Sequence, residues 1–384
     1  MKHVLCRLFG MLALCALSPQ VLFAQTGQTA VLEGRVVSSE TGEPLEGAHV
    51  FIAVSTNGNV AGADGRYRLE GVPLGAHRLY VSMLGYEAQA QDIVLRQGGS
   101  HTYDFSLKPT VIQGEGVVLE GERDRRWQKR LEKFTALFIG ETPNADQTKI
   151  TNPEVLDFEE RLGRFTARAS EPLVIENQAL GYRITYFLKE FVAEGGRTQY
   201  DGEPLFEELE PESHEQAVIW EGNRREAYYG SFRHFILSAF DGTWEEQGFV
   251  LYHRPSAQTG MSQGVFGNLP GAQRGMQGGP RFPIKPQEFI KDGPTALEKE
   301  VGFAGYVEIV FTGETEDPRY LSWGNRVVGA QPKFQTSWIQ VEKGPTMVDY
   351  KGDPLDPYGI TFYGYLAFER VADEVPKEYR PSGN

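Results

Sequence analysis

The sequence predicts a mainly β chain: a small N-terminal β-sandwich followed by a larger α+β domain with an antiparallel sheet and about two helices. Three observations predict it. Residues 31–109 set short apolar–polar alternations between turn dipeptides at roughly 10-residue spacing. Two stretches after residue 122 carry apolar side chains at helical spacing. Runs rich in aromatic and β-branched residues recur as far as residue 366. The 384 residues include 44 Gly and 22 Pro and are enough for two or three domains with a sizeable core. A hydrophobic fraction of 40% with 12% aromatics excludes a disordered or collagen-like chain. Against 38 Lys and Arg stand 52 Asp and Glu, a net charge of -14, so no nucleic-acid partner is expected.

The first 24 residues read as an export signal. Lys2 and Arg7 give a basic start, the run from Leu8 to Leu17 is apolar, and Ser18-Pro19 breaks it. Val21-Leu22-Phe23-Ala24 then leads to a cleavage site after Ala24. The apolar core is nearer to 10 residues than to the roughly 20 that span a bilayer, and no later stretch comes close, so no transmembrane helix is expected after cleavage. Cys15 does not read as a lipidation site, because bulky Leu14 precedes it and apolar Ala16-Leu17 follow. Cys6 and Cys15 both fall in the signal, so the exported chain would hold no disulfide in a compartment that permits one. Loss of Lys2 and Arg7 leaves 36 basic against 52 acidic residues, a charge of -16.

The sandwich strands follow in order. Leu32-Glu33-Gly34-Arg35-Val36-Val37 alternates with the period of a half-buried strand, and a turn cluster from Ser38 to Pro44 separates it from Ala48-His49-Val50-Phe51-Ile52. Asn57-Gly58 and Asp64-Gly65 are turn dipeptides whose glycines accept positive φ. Tyr67-Arg68-Leu69, Arg78-Leu79-Tyr80-Val81-Ser82 and Asp92-Ile93-Val94-Leu95 complete about seven short strands without a helix, the pattern of a small sandwich. Gly34-Arg35-Val36-Val37, Thr41-Gly42-Glu43-Pro44-Leu45-Glu46-Gly47-Ala48, Asp64-Gly65-Arg66-Tyr67, Val72-Pro73-Leu74-Gly75 and Leu84-Gly85-Tyr86 occur in the order that resembles the carboxypeptidase-regulatory-like domain. That resemblance implies a transthyretin-like, Ig-like sandwich over residues 31–109. Ala61-Gly62-Ala63 departs from the Thr-Asp pair usual before the Asp-Gly turn. In metallocarboxypeptidases the domain is an accessory, and zinc is held elsewhere by a His-x-x-Glu pair with a distant His. None of His49, His77, His101, His214, His234 and His253 has Glu three positions on.

The second unit is expected over residues 122–380. Trp127, Leu131, Phe134 and Phe138 share one face of a helix from Arg123 to Phe138, with Asp124 favourable near its positive N-terminus. Its other face is basic, and Arg126, Lys129 and Arg130 form a candidate surface for an acidic partner or anionic headgroups. Strand patterns follow at 165–169, 173–176 and 182–188. A second helix is expected from Arg224 to Phe240, with Tyr228, Phe232, Phe235 and Ala239 as its apolar stripe. Residues 256–280, with seven glycines, read as a flexible loop inside the domain. Strands at 307–311, 337–341 and 361–366 complete the unit. Asn152-Pro153-Glu154, Leu180-Gly181-Tyr182 and Arg225-x-x-Tyr228-x-Gly230-Ser231-x-Arg233-His234-Phe235 resemble exported proteins of Gram-negative bacteria that place a carboxypeptidase-regulatory-like domain ahead of such a unit. The resemblance implies a periplasmic or outer-membrane-peripheral location and no assigned activity.

Little in the sequence carries catalytic chemistry. Tyr229-Gly230-Ser231-Phe232 lacks the second glycine of a nucleophile elbow, and His234 sits one helical turn from Ser231, a poor place for a triad base. No His-x-x-x-His, Cys-x-x-Cys, EF-hand, P-loop or dinucleotide-binding pattern is present, so no metal or other cofactor is expected. The acidic run from Glu207 to Glu212 lacks the alternation of a calcium loop. Arg224, Arg225 and Arg233 beside Tyr228 and Tyr229 form a candidate lip for a carboxylate or a sugar, since Arg supplies planar donors and Tyr flat contact area. These features together point to a non-catalytic exported envelope protein. Its sandwich would be an interaction or spacer module, and its partner another envelope protein or assembly. An envelope hydrolase or transferase assembled from distant residues is the alternative in a different class. An accessory of an outer-membrane transport assembly is the third reading, although the roughly 275 residues after Pro109 are too few for a 22-stranded barrel.

Overall fold

The computed structural model describes residues 29–110, 123–255, 280–294, 298–323, 331–341 and 343–381. The export segment and nearly all of the glycine-rich stretch 256–280 lie outside these residues.

Eight strands build the first unit: β1 (Thr29–Ser38), β2 (His49–Ile52), β3 (Gly58–Val60), β4 (Arg66–Pro73), β5 (Gly75–Ser82), β6 (Gln89–Leu95), β7 (Gly99–Thr102) and β8 (Phe105–Leu107). One sheet has the order β4-β1-β7 with β8 also on β1, and the other has β3-β2-β5-β6. Alternation works as read from the sequence: Ala30, Leu32 and Val36 of β1 face Val50, Leu79 and Val81 of the other sheet in one apolar core. At the Asp64-Gly65 turn, Gly65 has φ 75°, and a Cβ there would come within 2.5 Å of the Val36 carbonyl.

The second unit opens with α1 (Arg123–Phe138), whose Phe134 and Phe138 are fully buried. They pack on a sheet of β9 (Thr148–Ile150), β10 (Leu156–Arg161), β11 (Arg164–Ala169), β12 (Leu173–Asn177), β13 (Tyr182–Glu194) and β14 (Arg197–Glu208). Its order is β10-β11-β13-β12-β9, with β14 paired along the whole of β13. Gly195 and Gly196 close that hairpin with φ 59° and 78°, the two positive values that a two-residue turn of this hand requires.

The expected helix 224–240 is two helices, α2 (His214–Tyr228) and α3 (Phe232–Asp241). The break has a local cause. Gly230 takes φ 78°, which a helix cannot continue, and a Cβ at this position would overlap the Gln335 side-chain oxygen. Ser231 then caps α3 by accepting from the His234 amide. The start of α2 had a cap signal of its own in Ser213, which accepts from the Gln216 amide.

The remaining elements are β15 (Phe249–Arg254), β16 (Phe282–Pro283), β17 (Ile290–Asp292), β18 (Glu298–Val301), β19 (Tyr306–Thr315), α4 (Pro318–Trp323), β20 (Phe334–Gln340), β21 (Thr346–Asp349), β22 (Thr361–Gly364) and α5 (Tyr365–Phe368). They form a five-stranded sheet, β16-β15-β19-β20-β22, and a three-stranded one, β17-β18-β21. The strand expected over 361–366 stops at Gly364, whose φ of 78° turns the chain into α5. α3 covers the larger sheet through Phe235 and Ile236 against Phe249, Ile309 and Phe311.

The sandwich docks on the second unit. Phe51 stacks on Phe187 with ring centroids 4.8 Å apart, and Tyr80 and Leu205 close the contact. Val54 holds φ 56°, a strained value for a β-branched residue, while its N–H donates to Pro204 O at 2.8 Å and its carbonyl accepts from the Lys377 amide at 2.9 Å. Arg78 donates to Leu355 O at 3.1 Å, and the Tyr350 hydroxyl donates to Leu74 O at 2.8 Å. Beneath them Lys351 Nζ donates to His77 Nδ1 at 3.3 Å, and His77 Nε2 donates to Pro73 O at 2.6 Å.

Candidate functional site

The α2–α3 corner creates a cleft. Because the two helices meet at Gly230, Tyr228 and Tyr229 at the end of α2 turn toward the first turn of α3. The corner is fixed by hydrogen bonds. Ser231 Oγ donates to Tyr228 O at 2.6 Å and accepts from the His234 amide at 3.2 Å. The Gly230 N–H donates to His234 Nδ1 at 3.1 Å, so the ring proton is on Nε2, which donates to Gln247 Oε1 at 3.1 Å. Burial pushes the His234 pKa below 6.5, with the Gln247 bond opposing it, and the ring is neutral. It packs 5.0 Å from the Tyr229 ring and 4.8 Å from that of Phe249. With both nitrogens used and Ser231 Oγ committed to backbone groups, Ser231 and His234 do not form a nucleophile–base couple.

The cleft has a volume of about 570 Å³. Aromatic surface comes from Tyr228, Tyr229, Phe240 and Tyr350, the last held by its bond to Leu74. Two carboxylates, Asp241 and Glu298, share the lining with two cations, Lys299 and Arg380, so formal charges balance. Arg380 donates to the Lys377 and Tyr379 carbonyls at 2.9 and 2.7 Å, with its guanidinium 6.0 Å from the Tyr228 ring centroid. Lys299 pairs with Asp292 at 2.6 Å.

Of the residues singled out in the sequence, Tyr228 and Tyr229 line this cleft. The three arginines are not brought together as a lip. Arg224 lies 4.1 Å over the Tyr182 ring and donates to Leu180 O at 2.6 Å, tying α2 to the turn before β13. Arg225 is exposed on α2 away from the cleft. Arg233 points from the other side of α3 toward Asp353 and the Val375 carbonyl. On α1, Arg126 and Lys129 are exposed and Arg130 donates to Phe158 O at 3.2 Å. Sequence reasoning missed Gln247, Glu298, Lys299, Tyr350 and Arg380. They come from four separate segments with no common spacing, and only the Ser231 cap three residues before His234 signals the corner. Among the described residues no group of three or more His, Cys, Asp or Glu is placed to hold a metal ion.

Residues 32–119 match the family model of the CarboxypepD_reg-like domain. No curated protein matches the sequence. Among solved structures, the chain is similar to a type II cohesin–X-dockerin complex from Acetivibrio cellulolyticus, at 14% identity over 21% of this chain and 58% of that one, with a TM-score of 0.18. It is similar to catechol 1,2-dioxygenase from Acinetobacter sp. ADP1 at 14% identity, over 25% of this chain and 57% of that one, with a TM-score of 0.20. A candidate carbohydrate-binding protein from Bacteroides uniformis is aligned over 42% of this chain and 61% of its own, at 14% identity and a TM-score of 0.19. In each case less than two thirds of the other chain is spanned. The family match takes in nearly all of β1 and every strand through β8, so the chain carries a CarboxypepD_reg-like domain ahead of its α+β region.

Proposed function

We propose that the chain is a non-catalytic binding protein of the cell envelope, exported by its N-terminal segment, whose α2–α3 cleft takes a saccharide ligand. The CarboxypepD_reg-like sandwich acts as the spacer or interaction module toward another envelope protein or assembly, and no cofactor takes part. The observation that carries the ligand class is the balance of the cleft. A carboxylate ligand would meet Asp241 and Glu298 as well as Arg380 and Lys299 and gain little net attraction. A neutral polyhydroxylated ring suits the same lining, because tyrosine faces offer flat apolar contact while carboxylate, amide and guanidinium groups exchange hydrogen bonds with hydroxyls. The volume of about 570 Å³ lies in the range of small-molecule sites. The neutral His234, locked between Gly230 and Gln247, serves as a wall rather than an acid or base.

The test is calorimetric titration of the purified protein with a panel of envelope sugars, neutral and uronic. Binding of a neutral saccharide that weakens about tenfold or more in Tyr229→Ala supports the reading, as loss of a stacked aromatic predicts. Absence of any saccharide binding, or affinity unchanged by Tyr229→Ala, overturns it.

A further inference from the structure

The sandwich reaches the cleft through one tight turn. Leu74 is the only residue between β4 and β5, and its carbonyl accepts from the Tyr350 hydroxyl at 2.8 Å. Burial, with the Asp349 charge added, pushes the Tyr350 pKa up to about 12, so the hydroxyl stays a donor. Gly75 follows with φ 128°, and its Cβ position lies 2.1 Å from that hydroxyl. The Tyr350 ring therefore fills the space that any other residue at 75 would need. His77 Nε2 braces the turn by donating to Pro73 O at 2.6 Å, and Lys351 donates to His77 Nδ1 at 3.3 Å. Two consecutive residues of the second unit thus grip one turn of the sandwich.

The same segments supply part of the cleft lining. Tyr350 lines it directly and follows the last residue of β21. Glu298 and Lys299, also in the lining, sit on β18 opposite Asp349 and Val348 of β21. Arg380 lines the cleft and donates to Lys377 O at 2.9 Å, while the Lys377 amide donates to Val54 O of the sandwich at 2.9 Å. The remaining tyrosines of the lining, Tyr228 and Tyr229, are fixed within the second unit by the Ser231, His234 and Gln247 bonds of the α2–α3 corner. Arg233 ties α3 to Asp353, further along from Tyr350, but the tip of the Tyr350 side chain is held by the sandwich.

We propose that Leu74 and Gly75 are positioning residues for the Tyr350 ring, so that the sandwich is a working part of the cleft and its docking is coupled to occupancy, an inference that rests on the saccharide reading of that cleft. A ring already held in its binding orientation needs no ordering when a sugar stacks on it. Loosening the ring lowers the apparent affinity in proportion to the time it spends out of place. Linkage is reciprocal, so a bound saccharide tightens the seam by the same factor.

Calorimetric titration with N-acetylglucosamine, glucose and galactose tests it in four variants. Gly75→Ala displaces the ring and should lower affinity at least about fivefold. Gly71→Ala, with φ 70° and open space at its Cβ, strains the sandwich alone and should bind as the parent does. Tyr350→Phe keeps the ring, loses only the bond to Leu74 and should bind about threefold more weakly; it decides the matter should Gly75→Ala fail to fold. In a Tyr350→Ala background, Gly75→Ala should cost no further affinity, which general damage to the fold would not reproduce. Saccharide should also slow hydrogen exchange of the Val54 amide, which donates to Pro204 O across the seam. Parent-like affinity in Tyr350→Phe, an equal loss in Gly71→Ala, or Val54 exchange unmoved by saccharide overturns the proposal and leaves the saccharide reading standing. No binding of any of the three sugars by the parent overturns both.

Discussion

The guanidinium of Arg233 on α3 and the carboxylate of Asp353, 120 residues later, pair at 3.0 Å in the seam where α3 meets the C-terminal segment. Lys377 Nζ reaches the other Asp353 oxygen at 3.0 Å and Asp349 at 3.4 Å, and its backbone N–H donates to Val54 of the sandwich. Burial alone would raise the Asp353 pKa, but the two cations outweigh it and hold the carboxyl well below the ordinary range. The seam is a chain of ionic and backbone bonds running from helix to sandwich.

Removing one member of such a buried set leaves charge without its partner. Arg233→Leu should therefore destabilise the protein by about 3–5 kcal/mol, whereas Arg225→Ala, on the exposed face of α2, should stay within about 0.5 kcal/mol. Urea denaturation followed by tryptophan fluorescence measures both. Equal midpoints for the two variants would show that the Arg233 pair contributes nothing.

A second expectation concerns pH. Burial, with the Glu226 charge added, pushes Glu314 up to about 7 despite its bond from Gln335. Burial likewise raises Glu374 to about 7 and Asp373 to about 6, and Glu369 well above the usual range. Between pH 4.5 and 7 the folded state holds protons the unfolded chain has lost, so this stability is complete below pH 4.5 and is lost as pH rises through about 7. His77, lowered to about 3 by burial and by the Lys351 charge, acts in the opposite sense, as does His234. Their contribution is complete above pH 6.5 and is lost as pH falls. Lys351, lowered to about 8 mainly by burial, begins to lose its proton in the folded state near pH 8 and acts against the carboxyls from there upward. From pH 6.5 to 7.5 the carboxyls dominate, and the melting temperature should fall. Glu314→Gln mimics the protonated acid and should melt roughly 3 °C higher than the parent at pH 8, with the difference vanishing at pH 4. A parent melting temperature that stays constant from pH 6.5 to 7.5 would refute the assignment.

Legibility followed sequence distance. The bounds of α1 were readable because Trp127, Leu131, Phe134 and Phe138 repeat at helical spacing and all pack on one sheet. The sandwich strands were readable because each carries its own alternation and turn. The break at Gly230 was hidden because Tyr228, Phe232, Phe235 and Ala239 keep helical spacing across it, and the residue that leaves no room for a side chain at this left-handed turn is Gln335, a strand residue about 100 positions away. For the same reason the arginines misled. Arg224 and Arg233 sit beside Tyr228 in sequence, yet their partners, the Leu180 carbonyl and Asp353, lie outside any local window. Tyr350 and Arg380 reached the cleft from segments with no motif. Half of the site's aromatic wall was legible and almost none of its polar rim.

The last prediction uses two glycines to separate backbone strain from docking. Gly71 has φ 70° and open space around its Cβ position, so Gly71→Ala should cost only the left-handed penalty, about 1 kcal/mol. Gly75, with φ 128°, adds a second term, because its Cβ position is already occupied by the Tyr350 ring and hydroxyl. Tyr350 cannot step aside freely, since its hydroxyl is bound to Leu74 O at 2.8 Å. Gly75→Ala should therefore cost about 3–5 kcal/mol, the strain plus the overpacking of the seam. The double variant with Tyr350→Ala isolates the clash: truncation removes the ring, so the two substitutions together should cost less than their sum by at least about 1 kcal/mol. Additive costs would mean that Gly75 is required by its backbone alone. The Tyr350 contact would then add nothing to the joining of the sandwich to the α+β region.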